Sequence, residues 1–254
     1  MTWALDLDGV LWRGETAVPG SAGAVAALRE RGERVVFLTN NSHERVDAYV
    51  AKLERVGVSA SPDDVVTSGQ AAASLLERGT TALVCGGPGV VEALDAAGVK
   101  VVTEGTADAV VVGWHSTFDY RRLTVATCAV LHGARLVGTN DDATYPTADG
   151  LIPGGGALLA AVAYASGATP EVAGKPNPAM VGLVQRRVGP VAVMVGDRPD
   201  TDGLLARNLG AKFSLVLSGV TREEDLPVEP EPDDVAPDLA TLVSRYAWGT
   251  DCSD

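Results

Sequence analysis

Two aspartates one residue apart, Asp6 and Asp8, close a short apolar run, and Gly9 follows at once. Like charges at that spacing repel, and burying either of them is costly, so a purely structural reason for the pair is hard to find. Residues two apart on a strand point to the same side, which lets both carboxylates converge on one place. The competing reading is a solvated Asp-Gly turn. Three further stretches carry compatible chemistry: Thr39-Asn40, Lys175 within Gly174-Lys175-Pro176, and Asp197 followed by Asp202. Each stands at the end of an apolar strand or the start of a helix. A carboxylate cluster there requires a balancing cation, and an all-oxygen ligand set favours magnesium. Magnesium with Lys175 and with hydroxyl and amide donors makes a phosphoryl site neutralised locally. In such a site Asp6 can attack phosphorus. Asp8 can protonate the leaving oxygen and later take a proton from the hydrolytic water.

The elements that must position these groups read as strand and helix in alternation. Thr2–Leu7 is a strand, Ser21–Arg31 a helix stopped by Gly32, and Arg34–Leu38 a continuous apolar strand suited to burial on both faces. Asn41 or Ser42 caps a helix running to Val56. Asp64–Ser68 is a third strand feeding a helix that Ser68 caps and Gly79 closes. This order predicts a doubly wound parallel sheet, with the site in the crevice at the carboxyl ends of its strands. From about Thr80 to Thr169 a smaller alternation begins: strands at Thr81–Cys85, Ala109–Val112 and Arg135–Gly138, and helices at Gly89–Ala97, Tyr120–His132 and Ala157–Ser166. Between the last two lies the loop Thr139–Gly156, with Asn140, Asp142 and three consecutive glycines. We read this middle third as an inserted α/β domain. The first pattern then resumes: Asn177 caps a helix with Pro178 at its first position, Val191–Asp197 is a buried strand ending in an acid, and Asp202 starts the next helix. Phe213–Leu217 is the last core strand, Glu223–Asp238 an acidic surface loop, Pro237–Tyr246 a final helix, and Gly249–Asp254 a frayed end. The expected divisions are a core of residues 1–78 and 173–254 and an insertion of residues 79–172.

Composition narrows the partners. The 254 residues carry a formal net charge of −13 and are 46% hydrophobic and 21% charged. That balance argues against a nucleic-acid partner and means that an anionic substrate must be met by local cations. Lysine is scarce, at Lys52, Lys100, Lys175 and Lys212. No apolar run suits a membrane span, and no signal peptide is visible, so the expected setting is the cytoplasm. Cys85, Cys128 and Cys252 are too few and too scattered for a disulfide framework or a zinc site, and read as reduced thiols.

Taken in order, Asp6-Leu7-Asp8-Gly9-Val10, Leu38-Thr39-Asn40-Asn41-Ser42, Gly174-Lys175-Pro176 and Gly196-Asp197-Arg198-Pro199-Asp200-Thr201-Asp202 resemble the four motifs of the haloacid dehalogenase-like phosphohydrolases. More narrowly the chain resembles their p-nitrophenyl-phosphatase and bacterial UMP-phosphatase branch, which carries an α/β cap domain between the second and third motifs. The resemblance spans essentially the whole chain and implies a Rossmann-like core with that cap. It also implies a Mg2+-dependent phosphomonoester hydrolase acting on a small phosphorylated metabolite: a glycerol, glycolate, sugar, nucleoside or pyridoxal phosphate. It makes Asp6 the nucleophile and a metal ligand, and Asp8 the general acid/base, with its backbone carbonyl on the metal. Thr39 and the Asn40 amide would hold phosphoryl oxygens, and Lys175 would pair with phosphate and nucleophile. Asp197 would complete the metal shell, with Asp202 behind it orienting Lys175 or a metal-bound water. Two other readings stay open: transfer of the phosphoryl group to an alcohol, and a regulatory module that binds a phosphometabolite without turnover. Relatives often dimerise through the cap.

Gly113-Trp114-His115 departs from the pattern of such relatives, which carry an acid after the aromatic residue, so Trp114 and His115 join Asn140 and Asp142 as candidate specificity residues of the insertion. Each has a bland alternative: a surface His115, and an ordinary glycine-rich turn around Asn140 and Asp142. Trp12 reads as loop packing, His43 and His132 as helix-surface residues, and Cys85 and Cys128 as small core residues.

Overall fold

The Trp3-Ala4-Leu5 run is buried on both sides, as the middle of a parallel sheet demands. In the computed structural model, which describes residues 1–147 and 150–246, it lies within strand Thr2–Asp6 near the centre of a six-stranded sheet. The spatial order is Asp234–Ala236, Lys212–Val216, Val193–Gly196, Thr2–Asp6, Arg34–Thr39, Val65–Thr67. Thr2–Asp6 runs parallel to both neighbours, with Leu5 level with Phe37 on one side and Val195 on the other. From Thr2–Asp6 the chain first builds outward through Arg34–Thr39 and Val65–Thr67, then returns to the other side at Val193–Gly196. The strand order therefore reverses between Thr2–Asp6 and Val193–Gly196, and the crevice at such a reversal is where open α/β sheets bind ligands.

A second sheet has five strands, in the order Glu171–Val172, Arg135–Gly138, Ala109–Val112, Thr81–Cys85, Lys100–Val102, all paired in parallel. Its core joins Leu83, Val110, Val112 and Leu136 to Ala126 and Val130 of helix Tyr120–Leu131 and to Leu159 and Val162 of helix Gly155–Ser166. Both sheets with their helices make the fold α/β and Rossmann-like. The chain divides into two compact units: Met1–Thr39 with Val50–Val66 and Val184–Asp254, and Asn40–Tyr49 with Thr67–Leu183. Among the described residues no helix is long and apolar enough to cross a membrane.

Several local expectations are corrected. The helix after Ser42 starts only at Val46, because the polar groups that could cap it are engaged elsewhere. Asn41 Oδ1 accepts from the His43 N–H, and the Ser42 hydroxyl bonds to that of Thr139 at 2.9 Å. His43 is consequently on an irregular segment and not on a helix surface. Thr67, not Ser68, caps the next helix, through a reciprocal pair with Gln70, and that helix ends at Ala73, before Gly79. The Thr139–Gly156 loop contains an antiparallel pair, Thr144–Thr147 with Gly150–Pro153. The acidic stretch before the last helix is not all loop: Asp234–Ala236 pairs with Ser214–Val216 at the sheet edge. Asp202 lies inside a π-helical turn, Pro199–Gly203, and the α-helix begins at Leu204. Cys85 is buried as expected, whereas Cys128 faces solvent. Cys252 and the stretch Gly249–Asp254 lie outside the described residues.

Candidate active site

The first unit gathers the acids. Asp6 ends strand Thr2–Asp6, Asp197 follows strand Val193–Gly196, and the π-helical turn carries Asp202. All three are buried, at 7%, 2% and 1% exposure, and one carboxylate oxygen from each lies within 4.8 Å of the others. The sequence dictates how so small a space forms. A Cβ on Gly9 or Gly219 would overlap the Asp197 carboxyl, and one on Gly196 would overlap that of Asp202. Gly9 also adopts φ +86°, which a side chain would strain. Asp197 is fixed through its carboxylate, which accepts the Val220 N–H at 2.6 Å, and through its carbonyl, which accepts the Thr221 hydroxyl at 2.6 Å. The Ser218 hydroxyl donates to the Gly9 carbonyl at 2.6 Å, tying the two glycine loops together. Asp202 accepts the Arg198 N–H at 3.2 Å. Asp8 is not among the three: it is partly exposed, and its Oδ1 accepts the Trp12 indole N–H at 3.0 Å. Thr39, 2% exposed, ends the neighbouring strand one residue beyond Leu38, which is level with Asp6.

The second unit assembles a polar cluster of its own around Asn40. The Asn40 Oδ1 accepts the Lys175 N–H at 2.7 Å, and its Nδ2 donates to the Lys175 carbonyl at 3.2 Å and to Asp142 Oδ2 at 3.3 Å. The Asn40 carbonyl accepts from Asn140 Nδ2 at 2.7 Å and from the Ser68 hydroxyl at 2.6 Å. Asn40 thus acts as a clip: its one side chain sets the backbone of Lys175, and its own backbone is set by Asn140 and Ser68. Gly174 is required beside it, since a Cβ there would press on both Asn40 and Thr139. The Lys175 side chain is 2% exposed. Trp114 packs edge-on against His43, centroids 4.6 Å apart, and lies 5.9 Å from Tyr145. His115 sits beyond it, partly exposed, with its pKa lowered by burial and then by the nearby positive charge of Arg122.

Sequence reasoning picked out Asp6, Asp8, Asp197 and Asp202 and the Asn40, Asn140, Asp142, Lys175 group. It read His43 as a helix-surface residue and gave Tyr145 no role, since their ring contacts are tertiary with no local spacing to announce them, and it treated Trp12 as packing although its N–H binds Asp8. The site fits a divalent cation. Three buried carboxylates sharing one small volume, the one such acidic cluster among the described residues, are stable together when a hard cation balances them.

Buried acids gathered at the reversal point of a doubly wound sheet, in a chain that divides into two compact units, describe a class of α/β protein suited to a divalent cation. Comparison with known proteins specifies which. Residues 3–100 match the haloacid dehalogenase-like hydrolase family model, and residues 172–242 a related HAD-hydrolase-like model. An acid sugar phosphatase of Staphylococcus epidermidis is 33% identical over 234 residues, covering 88% of this chain and 89% of that one. Among solved structures, 4-nitrophenylphosphatase from Thermotoga maritima superposes with a TM-score of 0.88 at 35% identity, covering 96% of both chains. Glycerol phosphate phosphatase from Mycobacterium tuberculosis, in complex with calcium, gives 0.88 at 35% identity over 95% of this chain and 74% of that one. That enzyme has also been solved in complex with magnesium. The chain belongs to the haloacid dehalogenase-like hydrolases, in the phosphatase branch of that family.

Proposed function

We propose that the protein hydrolyses phosphate monoesters of small hydroxylated metabolites, sugar or glycerol phosphates foremost, with Mg2+ and through an aspartyl-phosphate on Asp6. The buried Asp6–Asp197–Asp202 cluster at the sheet's reversal point is the observation that carries this reading. Asp6 attacks phosphorus as the ester P–O bond breaks, and Asp8 gives its proton to the departing alkoxide oxygen. Water then attacks the acyl phosphate, Asp8 takes the water's proton, and inorganic phosphate leaves with Asp6 restored. Thr39 and the Asn40 amide hold phosphoryl oxygens, and Lys175 supplies positive charge. Asp6, Asp197 and the Asp8 carbonyl would hold the metal, with Asp202 beside them. Bound Mg2+ would offset charge on the transferring phosphoryl group. Residues 79–172 act as the cap, where Asn140, Asp142, Trp114 and His115 select the leaving group. The carboxylate of Asp142 favours neutral hydroxyls over an anionic leaving group, and two of the relatives, the acid sugar phosphatase and the glycerol phosphate phosphatase, are named for esters of that kind.

The test is phosphate release from a panel of sugar, glycerol, glycolate and nucleoside phosphates, with Mg2+ and with chelator, against Asp6→Asn. Mg2+-dependent release that the variant abolishes, highest on the polyol esters, is expected. A folded protein releasing phosphate from none of them, or an Asp6→Asn variant as active as the parent, would sink the proposal.

A further inference from the structure

We propose that Trp12 is a positioning residue for Asp8, and that Lys52 holds Trp12 in that role; the inference rests on the reading of Asp8 as proton donor to the leaving group. Trp12 is 1% exposed, and its indole N–H, a donor only, reaches Asp8 Oδ1 at 3.0 Å. Burial alone does not explain that bond. Among the described residues the indole nitrogen of Trp3, equally buried in the same unit, has no hydrogen-bond partner, so burial of an indole does not by itself bring one. The bond is also built in by the backbone. Gly9 N–H donates to the Trp12 carbonyl at 2.7 Å and Trp12 N–H to the Leu7 carbonyl at 3.3 Å, closing a short loop around Asp8. Gly9 makes the loop possible with its φ of +86°. Trp12 then starts a small antiparallel ribbon, Trp12–Arg13 with Thr16–Ala17.

Lys52 covers the other side of the ring. Its ammonium lies 4.5 Å from the Trp12 ring centroid, donates to the Gly14 carbonyl at 2.8 Å and stands 3.3 Å from the Glu15 carboxylate. The cation is thus anchored to the same ribbon that carries Trp12. A cation over an indole face is attracted to the ring and draws electron density from it, which makes the N–H a better donor toward a carboxylate. The chain of contacts runs from Lys52 through the ring to Asp8. Torsion about the last bond of an aspartate side chain is broad and poorly restrained on its own. A fixed N–H on Oδ1 sets the plane of the carboxyl group. Proton transfer to the departing oxygen needs that geometry before it needs anything else.

The inference predicts a loss that depends on the leaving group, which a packing role would not produce. Phenyl phosphate and 4-nitrophenyl phosphate are nearly the same shape, but nitrophenolate departs without a proton and phenolate needs one far more. With kcat/KM as readout, which reports events up to departure of the leaving group, Trp12→Phe should cost about 10- to 100-fold on phenyl phosphate and less than about 3-fold on 4-nitrophenyl phosphate. Lys52→Met should show the same bias at about 3- to 10-fold, and Lys52→Arg should restore it. Replacing Trp12 by 3-benzothienylalanine, which keeps the ring shape and lacks only the N–H, repeats the test without a cavity should Trp12→Phe fail to fold. Asp8→Asn runs alongside. Equal losses on both esters for the Trp12 replacements, with unequal losses for Asp8→Asn, overturn the positioning role alone. Equal losses for Asp8→Asn overturn the proton-donor reading itself. Wild-type kcat/KM on phenyl phosphate in Lys52→Met removes Lys52 from the device.

Discussion

Replacing Asp202 by asparagine separates electrostatics from packing in the acid cluster. One of its carboxylate oxygens lies within 4.8 Å of one from Asp6 and one from Asp197. Two unit charges at that distance, at an effective dielectric constant of about 20, repel by roughly 3.5 kcal/mol, so three ionised pairs amount to about 10 kcal/mol. That is comparable with the whole stability of a domain. Asp202→Asn removes two of the three pairs. The asparagine Oδ1 can still accept the Arg198 N–H that Asp202 accepts at 3.2 Å, so little packing is lost. In chelator the variant should therefore melt no lower than the parent, and higher if the repulsion is felt in full. Magnesium should act the other way. At a hundred times its dissociation constant, a cation bound only by the folded state adds about 2.7 kcal/mol. For a chain of this size that raises the melting temperature by about 5–10 °C. Asp202→Asn should cut this rise by at least half. The assay is thermal melting of both proteins in EDTA and along a Mg2+ titration. A variant that melts clearly lower than the parent in EDTA yet keeps the full magnesium-induced rise would refute the electrostatic account.

Two further outcomes follow from local geometry. Gly219→Ala places a methyl group on the Asp197 carboxylate without the backbone strain that Gly9→Ala would add. Displacing a proposed metal ligand by about 1 Å should cost on the order of 100-fold in turnover, and unchanged kcat and Mg2+ affinity would show that Asp197 needs no fixed position. Asp108 accepts the Thr81 N–H and hydroxyl, each at 2.7 Å, and these bonds hold its carboxyl below the usual aspartate range, the backbone N–H first and the hydroxyl second. Because the folded value lies below the unfolded one, its contribution to stability is present above about pH 4 and is lost as pH falls through the folded value. Urea midpoints of wild type and Asp108→Asn should differ at pH 6 and draw together near pH 3, and a gap that is constant with pH would contradict the assignment.

The sequence exposes the acids because they violate its own pattern: carboxylates at the ends of apolar strands have no structural excuse, and parallel strands must end on one edge of a sheet. Asp6 and Asp197 were legible for that reason, as were the strands Thr81–Cys85, Ala109–Val112 and Arg135–Gly138, whose short apolar runs are bounded by turn residues. What stayed hidden depends on partners distant in the chain. Ser42 has the chemistry of a helix cap, but its hydroxyl is taken by Thr139, 97 residues away, and the helix starts four residues later. Asp234–Ala236 lies among acids and prolines and becomes a strand only because Lys212–Val216 offers it an edge. Asn40 carries no signal beyond the motif around it, yet it joins Lys175, Asp142, Asn140 and Ser68. The same division applies to Trp12. As a large apolar residue in a loop it invites a packing explanation, and only the position of its N–H against Asp8 gives it a chemical one. Residue type and spacing therefore locate the groups proposed to react, whereas the groups proposed to aim them are visible only once the chain has folded.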